Sequence, residues 1–332
     1  MDFDFLFHSF FALTITGLVV GSIYALIALG YTMVYGVLQL INFAHSEVFM
    51  YGTFAVGWTV IALGGVDTTG VAAAIGMLLV ALVAAMIVSG AVALLVERLA
   101  YRPLIKRKAP KLVALISAIG MSFVLAEAMG LRSKIFDAFG IDGAFIQPYV
   151  ARSRDDMAMP DIADPIQLFD IGDYTVNSVD VVVIGSAIVM MVLVDQFIRR
   201  SRVGRGIRAV AQDPESAALM GVNSTRSVQL TFLIGGIMAG VAALLYMIYI
   251  ESTKFDVGFL LGVKAFTAAV LGGIGNLRGA LVGGLVLGVA ENWGGALIGS
   301  QWQDVISFVL LIIILLFRPT GILGESLGSS RA

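Results

Sequence analysis

The sequence has no cysteine, only two histidines and little charge, with 13% of its 332 residues being Asp, Glu, Lys or Arg. Without cysteine there is no disulfide, no thiolate nucleophile and no Cys-ligated metal site. No Gly-Lys pair occurs, so there is no P-loop, and the HExxH and GxSxG patterns are absent too. No cofactor is expected, and energy for any work must come from a partner or an ion gradient. The formal net charge of −2 argues against nucleic acid as a partner, since that role needs a clustered excess of Lys and Arg.

What fills the chain instead is apolar: 59% hydrophobic residues and a mean hydropathy of +0.95. A soluble domain has about 45–50% apolar and about 25% charged residues. So few charges cannot cover this much apolar surface in water, and lipid is the solvent that fits. The start, MDFDFLFHSF, is acidic where a signal peptide is basic, so the first apolar segment is expected to remain in place.

About 20 apolar residues are needed to cross the hydrocarbon of a bilayer. Such stretches occur near 10–38, 43–63, 70–96, 112–130, 180–198, 228–250 and 304–317. The stretch 259–300 is apolar but interrupted by glycine, and fits one broken helix, a re-entrant hairpin or two short spans. Lipid cannot satisfy an open backbone. The fold class expected is therefore all-α: a polytopic transmembrane bundle of seven to nine segments, with glycine-rich, partly broken helices, forming a single domain over 1–332.

Basic residues set the orientation. Arg98, Arg102, Lys106, Arg107, Lys108 and Lys111 crowd residues 97–111, and Arg199, Arg200, Arg202, Arg205, Arg208 and Arg226 crowd 199–226. Together they are twelve of the 21 Lys and Arg, which marks both loops as cytoplasmic. The segment 131–180 is the reverse, with Asp137, Asp142, Asp155, Asp156, Asp161, Asp164, Asp170, Asp173 and Asp180 against four basic residues. It reads as an external loop. Arg318-Pro319 suggests a cytoplasmic C-terminus, and counting back from residue 97 puts the N-terminus outside.

Two features admit two readings each. Glycines gather at Gly17, Gly21, Gly30 and Gly36, and again at Gly272, Gly273, Gly275, Gly279, Gly283, Gly284 and Gly288. They serve either close helix packing or a broken, pathway-lining helix, and Asn276 belongs to the second group's turn. Asn42, His45, Ser46 and Glu47 form a polar knot between apolar segments. Such groups either line a pathway or its gate or cap a helix at an interfacial turn. Glu127 and Glu291 fall near expected span ends, where solvation is the simpler reading.

The loop RRSRVGRGIRAVAQDPESAALMGVNSTR, residues 199–226, contains a second kind of signal. Asp213 is a good N-cap, Pro214 fits the first helical position and Gly221 is a natural C-cap. They delimit a helix of about two turns whose first turn carries Glu215, favourable at a helix N-terminus. Ala217, Ala218, Leu219 and Met220 give it an apolar surface that either a protein partner or lipid headgroups would cover.

Here a resemblance enters. Glu215-Ser216-Ala217, three residues, then Gly221 is similar to the cytoplasmic loop motif of ATP-binding-cassette importer permeases, with Ser216 where alanine is usual. The segments YALIALGYTMVYGVLQLINFAHSEVFMYGTF (24–54), ERLAYRPL (97–104), KAFTAAVLGGIGNLRGALVGGLVLGVAE (264–291) and RPTGILG (318–324) resemble the branched-chain amino-acid members of that family, and in particular the subunit that pairs with a related permease. The resemblance implies a multi-pass inner-membrane permease, without enzymatic activity of its own, importing leucine, isoleucine and valine. It implies as partners two ATPase subunits, a second permease copy or paralogue, and a periplasmic binding protein. It makes Pro214–Met220 the coupling helix, with Arg208, Asp213, Pro214, Glu215, Ala217 and Gly221 facing the ATPase. It leaves Asn42, His45, Glu47, Gly272, Gly273, Gly275 and Asn276 as candidates for the pathway or its gate. Relatives with the same signatures carry urea or short amides, and an ion-driven secondary transporter is the rival machine.

Overall fold

The computed structural model describes residues 9–64, 70–141, 147–150, 153–160, 165–172 and 174–324. Asp142, Asp161, Asp164 and Asp173, four of the acids expected on the external segment, lie outside the described residues.

Helices dominate. In chain order they are α1 (Phe10–Leu38), α2 (His45–Ala62), α3 (Val71–Val96), α4 (Lys111–Gly130), α5 (Ser178–Arg200), α6 (Arg202–Gln212), α7 (Pro214–Leu219), α8 (Ser224–Ile250), α9 (Val257–Gly272), α10 (Leu277–Ile298) and α11 (Gln303–Phe317), with shorter turns between. Among the described residues, four short strands, β1 (Met157–Ala158), β2 (Gln167–Ile171), β3 (Tyr174–Asn177) and β4 (Ser252–Thr253), make two antiparallel pairs, β1 with β4 and β2 with β3.

Among the described residues, seven helical stretches are long and apolar enough to cross a membrane: α1, α3 with its extension to Lys106, α4, α5, α8, α10 and residues 300–317 around α11. The expected span at 43–63 is helical as α2 but is not one of the seven, because its first turn is given to His45, Ser46 and Glu47. The stretch 259–300 is two helices joined by a turn, α9 being a shorter apolar helix of 16 residues.

The chain folds as two compact units. One comprises Met1–Gln39, Pro165–Thr231 and Val263–Ala332, and the other Leu40–Asp164 and Phe232–Gly262. In the first, α1 packs along α10, with α5 and α6 also against α1. A Cβ placed on Gly17 would stand 2.7 Å from the Val289 Cα, and one on Gly21 2.6 Å from the Gly284 carbonyl oxygen. Backbones this close tolerate only glycine, the device by which helices associate in lipid without a hydrophobic driving force. The β2–β3 pair feeds α5, whose N-cap Asn177 forms a reciprocal capping box with Asp180.

In the second unit, Val56, Val60, Met77, Ala81, Ala85, Leu244 and Met247 make one core cluster and Met50, Phe54 and Met129 another. Arg132 sits buried at its edge, its guanidinium 4.9 Å above the Phe54 ring. It donates to the carbonyls of Met129, Tyr149 and Ser153, which satisfies a charge that would otherwise be costly there. Burial pushes its pKa down from the ordinary arginine value.

Candidate functional site

The basic loop folds as a helical elbow. Ser201 caps α6 by accepting from the Gly204 amide at 2.8 Å. Ile207 and Val210 of α6 face inward, leaving Arg202, Arg205 and Arg208 exposed. Asp213 then starts α7: its Oδ1 accepts from the Glu215 amide at 2.9 Å, and its Oδ2 from the Ser216 hydroxyl. The serine that departs from the usual motif thus strengthens the cap. At the other end Gly221 adopts φ +82°, its amide donates to the Ala218 carbonyl, and the Val222 amide donates to the Ala217 carbonyl. This pair of bonds is a Schellman motif, which satisfies the last carbonyls of the helix.

Capped at both ends, six residues hold a helix that would be marginal alone. Helix α7 ends at Leu219, with Met220 as its C-cap. Ala217 turns inward at 5% exposure, so it has no share in the apolar surface expected of it. That surface belongs to Leu219, 89% exposed, and Met220, 85% exposed.

The polar knot lies in the second unit. His45, Ser46 and Glu47 are 1–3% exposed and form the first turn of α2. Asn42 accepts from the Tyr101 hydroxyl at 3.2 Å, and Glu47 Oε1 accepts from the Ser122 hydroxyl at 3.1 Å. Glu47 Oε2 and Asn42 Nδ2 are buried with no hydrogen-bond partner among the described residues. Gly258, the second residue of α9, lets the start of that helix pass over the carboxylate: a Cβ there would meet Glu47 Oε2 at 2.7 Å.

The glycine turn lies in the first unit. Gly273 and Gly275 adopt φ +103° and +96°, and Asn276 caps α10 by accepting from the Arg278 and Gly279 amides. The segment 318–324 clasps this turn: Asn276 Nδ2 donates to the Leu323 carbonyl at 2.8 Å, and the Ile322 and Leu323 amides donate to the carbonyls of Leu271 and Gly272. A Cβ on Gly272 would overlap the Gly279 carbonyl, and one on Gly273 would meet Gly324. Close packing requires glycine at both.

Sequence reasoning missed one cluster. Lys264 on α9 reaches Asp304 at 2.8 Å and Glu291 at 3.3 Å. Glu291 accepts from the Tyr24 hydroxyl at 2.9 Å and from the Ser307 hydroxyl. Glu291, expected to be solvated near a span end, is 2% exposed. The available signal was a lysine within the apolar run GVKAFTAAV, costly in a membrane unless paired. Glu127 does meet solvent, paired with the exposed Arg154 at 2.6 Å.

Residues 13–315 match the family described as branched-chain amino acid transport system, permease component. The high-affinity branched-chain amino acid transport system permease protein BraD of Pseudomonas aeruginosa is 42% identical over 94% of each chain. The corresponding LivH protein of Escherichia coli is 41% identical over 93% of this chain and 94% of its own. A solved structure, PsaBC from Streptococcus pneumoniae in complex with Fab, aligns over 96% of this chain and 97% of that one at a TM-score of 0.47 and 12% identity. The chain belongs to the permease-component family of branched-chain amino acid transport systems.

Proposed function

We propose that this chain is the membrane-spanning subunit of an ATP-binding-cassette importer and carries leucine, isoleucine and valine across the inner membrane. The observation that carries this reading is the nearly full-length likeness to permeases named for that substrate class. ATP is hydrolysed on two partner subunits, a second permease completes the pathway, and a periplasmic binding protein delivers the substrate.

In this reading α7 is the coupling helix. Leu219 and Met220 supply the contact; Asp213, Pro214, Glu215 and Gly221 hold its shape; Ala217 anchors it, and Arg208 extends its charged surroundings. Residues 97–111 and 199–226 lie in the cytoplasm and 131–180 outside. Support comes from the first unit: Arg278 pairs with Asp195 beside Arg199, and the turn before it is clasped by 318–324. These contacts support a reading in which the end of α5, the turn and Arg318 share one side of the membrane, with α9 and α10 as two crossings. Asn42 and Glu47 supply polar groups to the pathway or its gate, since buried acceptors and donors without partners are costly unless used, and His45, buried in the same turn, belongs to that group. Gly272, Gly273, Gly275 and Asn276 contribute a joint in the first unit to the same route.

The test is reconstitution in proteoliposomes with the ATPases, the second permease and loaded binding protein. Leucine uptake that requires internal ATP is expected. Uptake of urea but not leucine would overturn the substrate, and leucine uptake driven by an ion gradient without the ATPases would overturn the machine.

A further inference from the structure

A cleft of about 550 Å³ opens between α5 and α10, lined by Met191, Val192, Asp195, Arg199, Arg200 and Arg278 among others. Its lining changes character along α5. Met191 and Arg200 are nine residues apart, about 13 Å at the helical rise, so one end is apolar and the other cationic. Ile188 and Val189, also exposed, lie just before Met191 on α5.

The cationic end is pre-arranged. Asp195 Oδ1 accepts from Arg199 Nε at 2.7 Å, and Oδ2 from an Arg278 terminal nitrogen at 3.2 Å. One carboxylate therefore fixes two guanidiniums. Each guanidinium carries five N–H donors, and the two side chains are 58% and 59% exposed, so most donors stay available. Arg200 makes no ion pair among the described residues. Three guanidiniums against one carboxylate leave an excess of two positive charges.

We propose that this cleft binds an anionic phospholipid, with its phosphodiester under Arg199, Arg200 and Arg278 and an acyl chain along Met191 and Val192. Basic pockets between membrane helices recognise lipid headgroups by this chemistry. A free phosphate would satisfy the charge and leave the apolar end uncovered.

The full-length chain in a zwitterionic detergent, titrated with phosphatidylglycerol, phosphatidylcholine or inorganic phosphate, tests this by native mass spectrometry. Phosphatidylglycerol should bind more tightly than phosphatidylcholine. Arg200→Gln, which removes no intramolecular ion pair, should weaken it about fivefold, and Arg200→Gln with Arg278→Gln roughly twentyfold. Arg226→Gln, outside the cleft, should change nothing. Equal phosphatidylglycerol affinity in the double variant and the parent would overturn the site. Displacement of the lipid by millimolar phosphate would overturn the lipid as its occupant. The lipid is offered in solution to both ends of the protein, so the outcome is independent of the orientation and transport proposed above.

Discussion

Lys264 shows what one buried charge asks of its neighbours. Its ammonium is held by Glu291 and Asp304 and lies 5.6 Å over the Tyr24 ring, so residues of α1, α9, α10 and the start of α11 meet at one cation. Removing one member of a buried pair strands the other and costs about 3–5 kcal/mol. Lys264→Met should therefore lower the thermal midpoint of the purified chain sharply, and adding Glu291→Gln should recover much of the loss. Equal midpoints for the single and double variants would show that the pair is not coupled. Asp213 is the contrasting case, an exposed carboxylate. The Ser216 hydroxyl, then the backbone amides of Ser216 and Glu215, hold its pKa below the ordinary value. A depressed carboxylate stabilises above its unfolded pKa, and that help is lost as pH falls through the folded value. Amide protection in α7 should thus stay constant from pH 8 to 5, a range above the ordinary aspartate pKa of about 3.9. Asp213→Ala should speed hydrogen exchange at Ala217–Leu219 severalfold and reduce substrate-stimulated ATP hydrolysis with it. Protection that already falls between pH 7 and 5 would point away from this cap. The cap could be read from the sequence because its partners lie within three residues; the partners of Lys264, up to 240 positions away, could not.

Among the elements, α1 and α10 depend on glycine differently from the helices that face open space. A Cβ on Gly284 would fall 2.6 Å from the Ala25 Cα, whereas one on Gly120 of α4 meets nothing within 4 Å. Gly120→Ala should be neutral or stabilise by about 0.5–1 kcal/mol, while Gly284→Leu should force the two helices apart and abolish the folded chain. Expression level and melting temperature in detergent separate the two, and wild-type behaviour of Gly284→Leu would discard the packing account. The long apolar helices were legible because apolar runs of this length are confined to helices in lipid, whereas α6, inside the basic loop, was not. The sequence also displayed both glycine groups, but not that Gly17 and Gly21 of one meet Gly284 and Gly288 of the other. The lower apolar content of α2 has a physical cause as well. Its polar first turn is met by Ser122, and Asn42 just before it by Tyr101, residues that no local pattern connects to them.

For the molecule as a whole, the proposed orientation makes a prediction that a cysteine-free chain suits well. Single cysteines at Lys108 and Arg202 should react with impermeant thiol reagents only from the cytoplasmic face, and one at Asp155 only from outside. Labelling of Asp155 and Arg202 positions from the same face would reverse the assignment. The division into two units also bears on how the chain is made. The first unit draws on residues 1–39 and on residues 263–332, so the glycine face of its opening helix lacks its main partner until α10 emerges some 240 residues later. At about 5–20 residues per second that interval is on the order of 10–50 s. For that time the notched face of α1 stands in the membrane as a vacant socket, open to any other helix with small residues. A newly made chain therefore faces a contest between waiting for its own distant half and pairing with a stranger, one that synthesis rate and crowding in the membrane would decide.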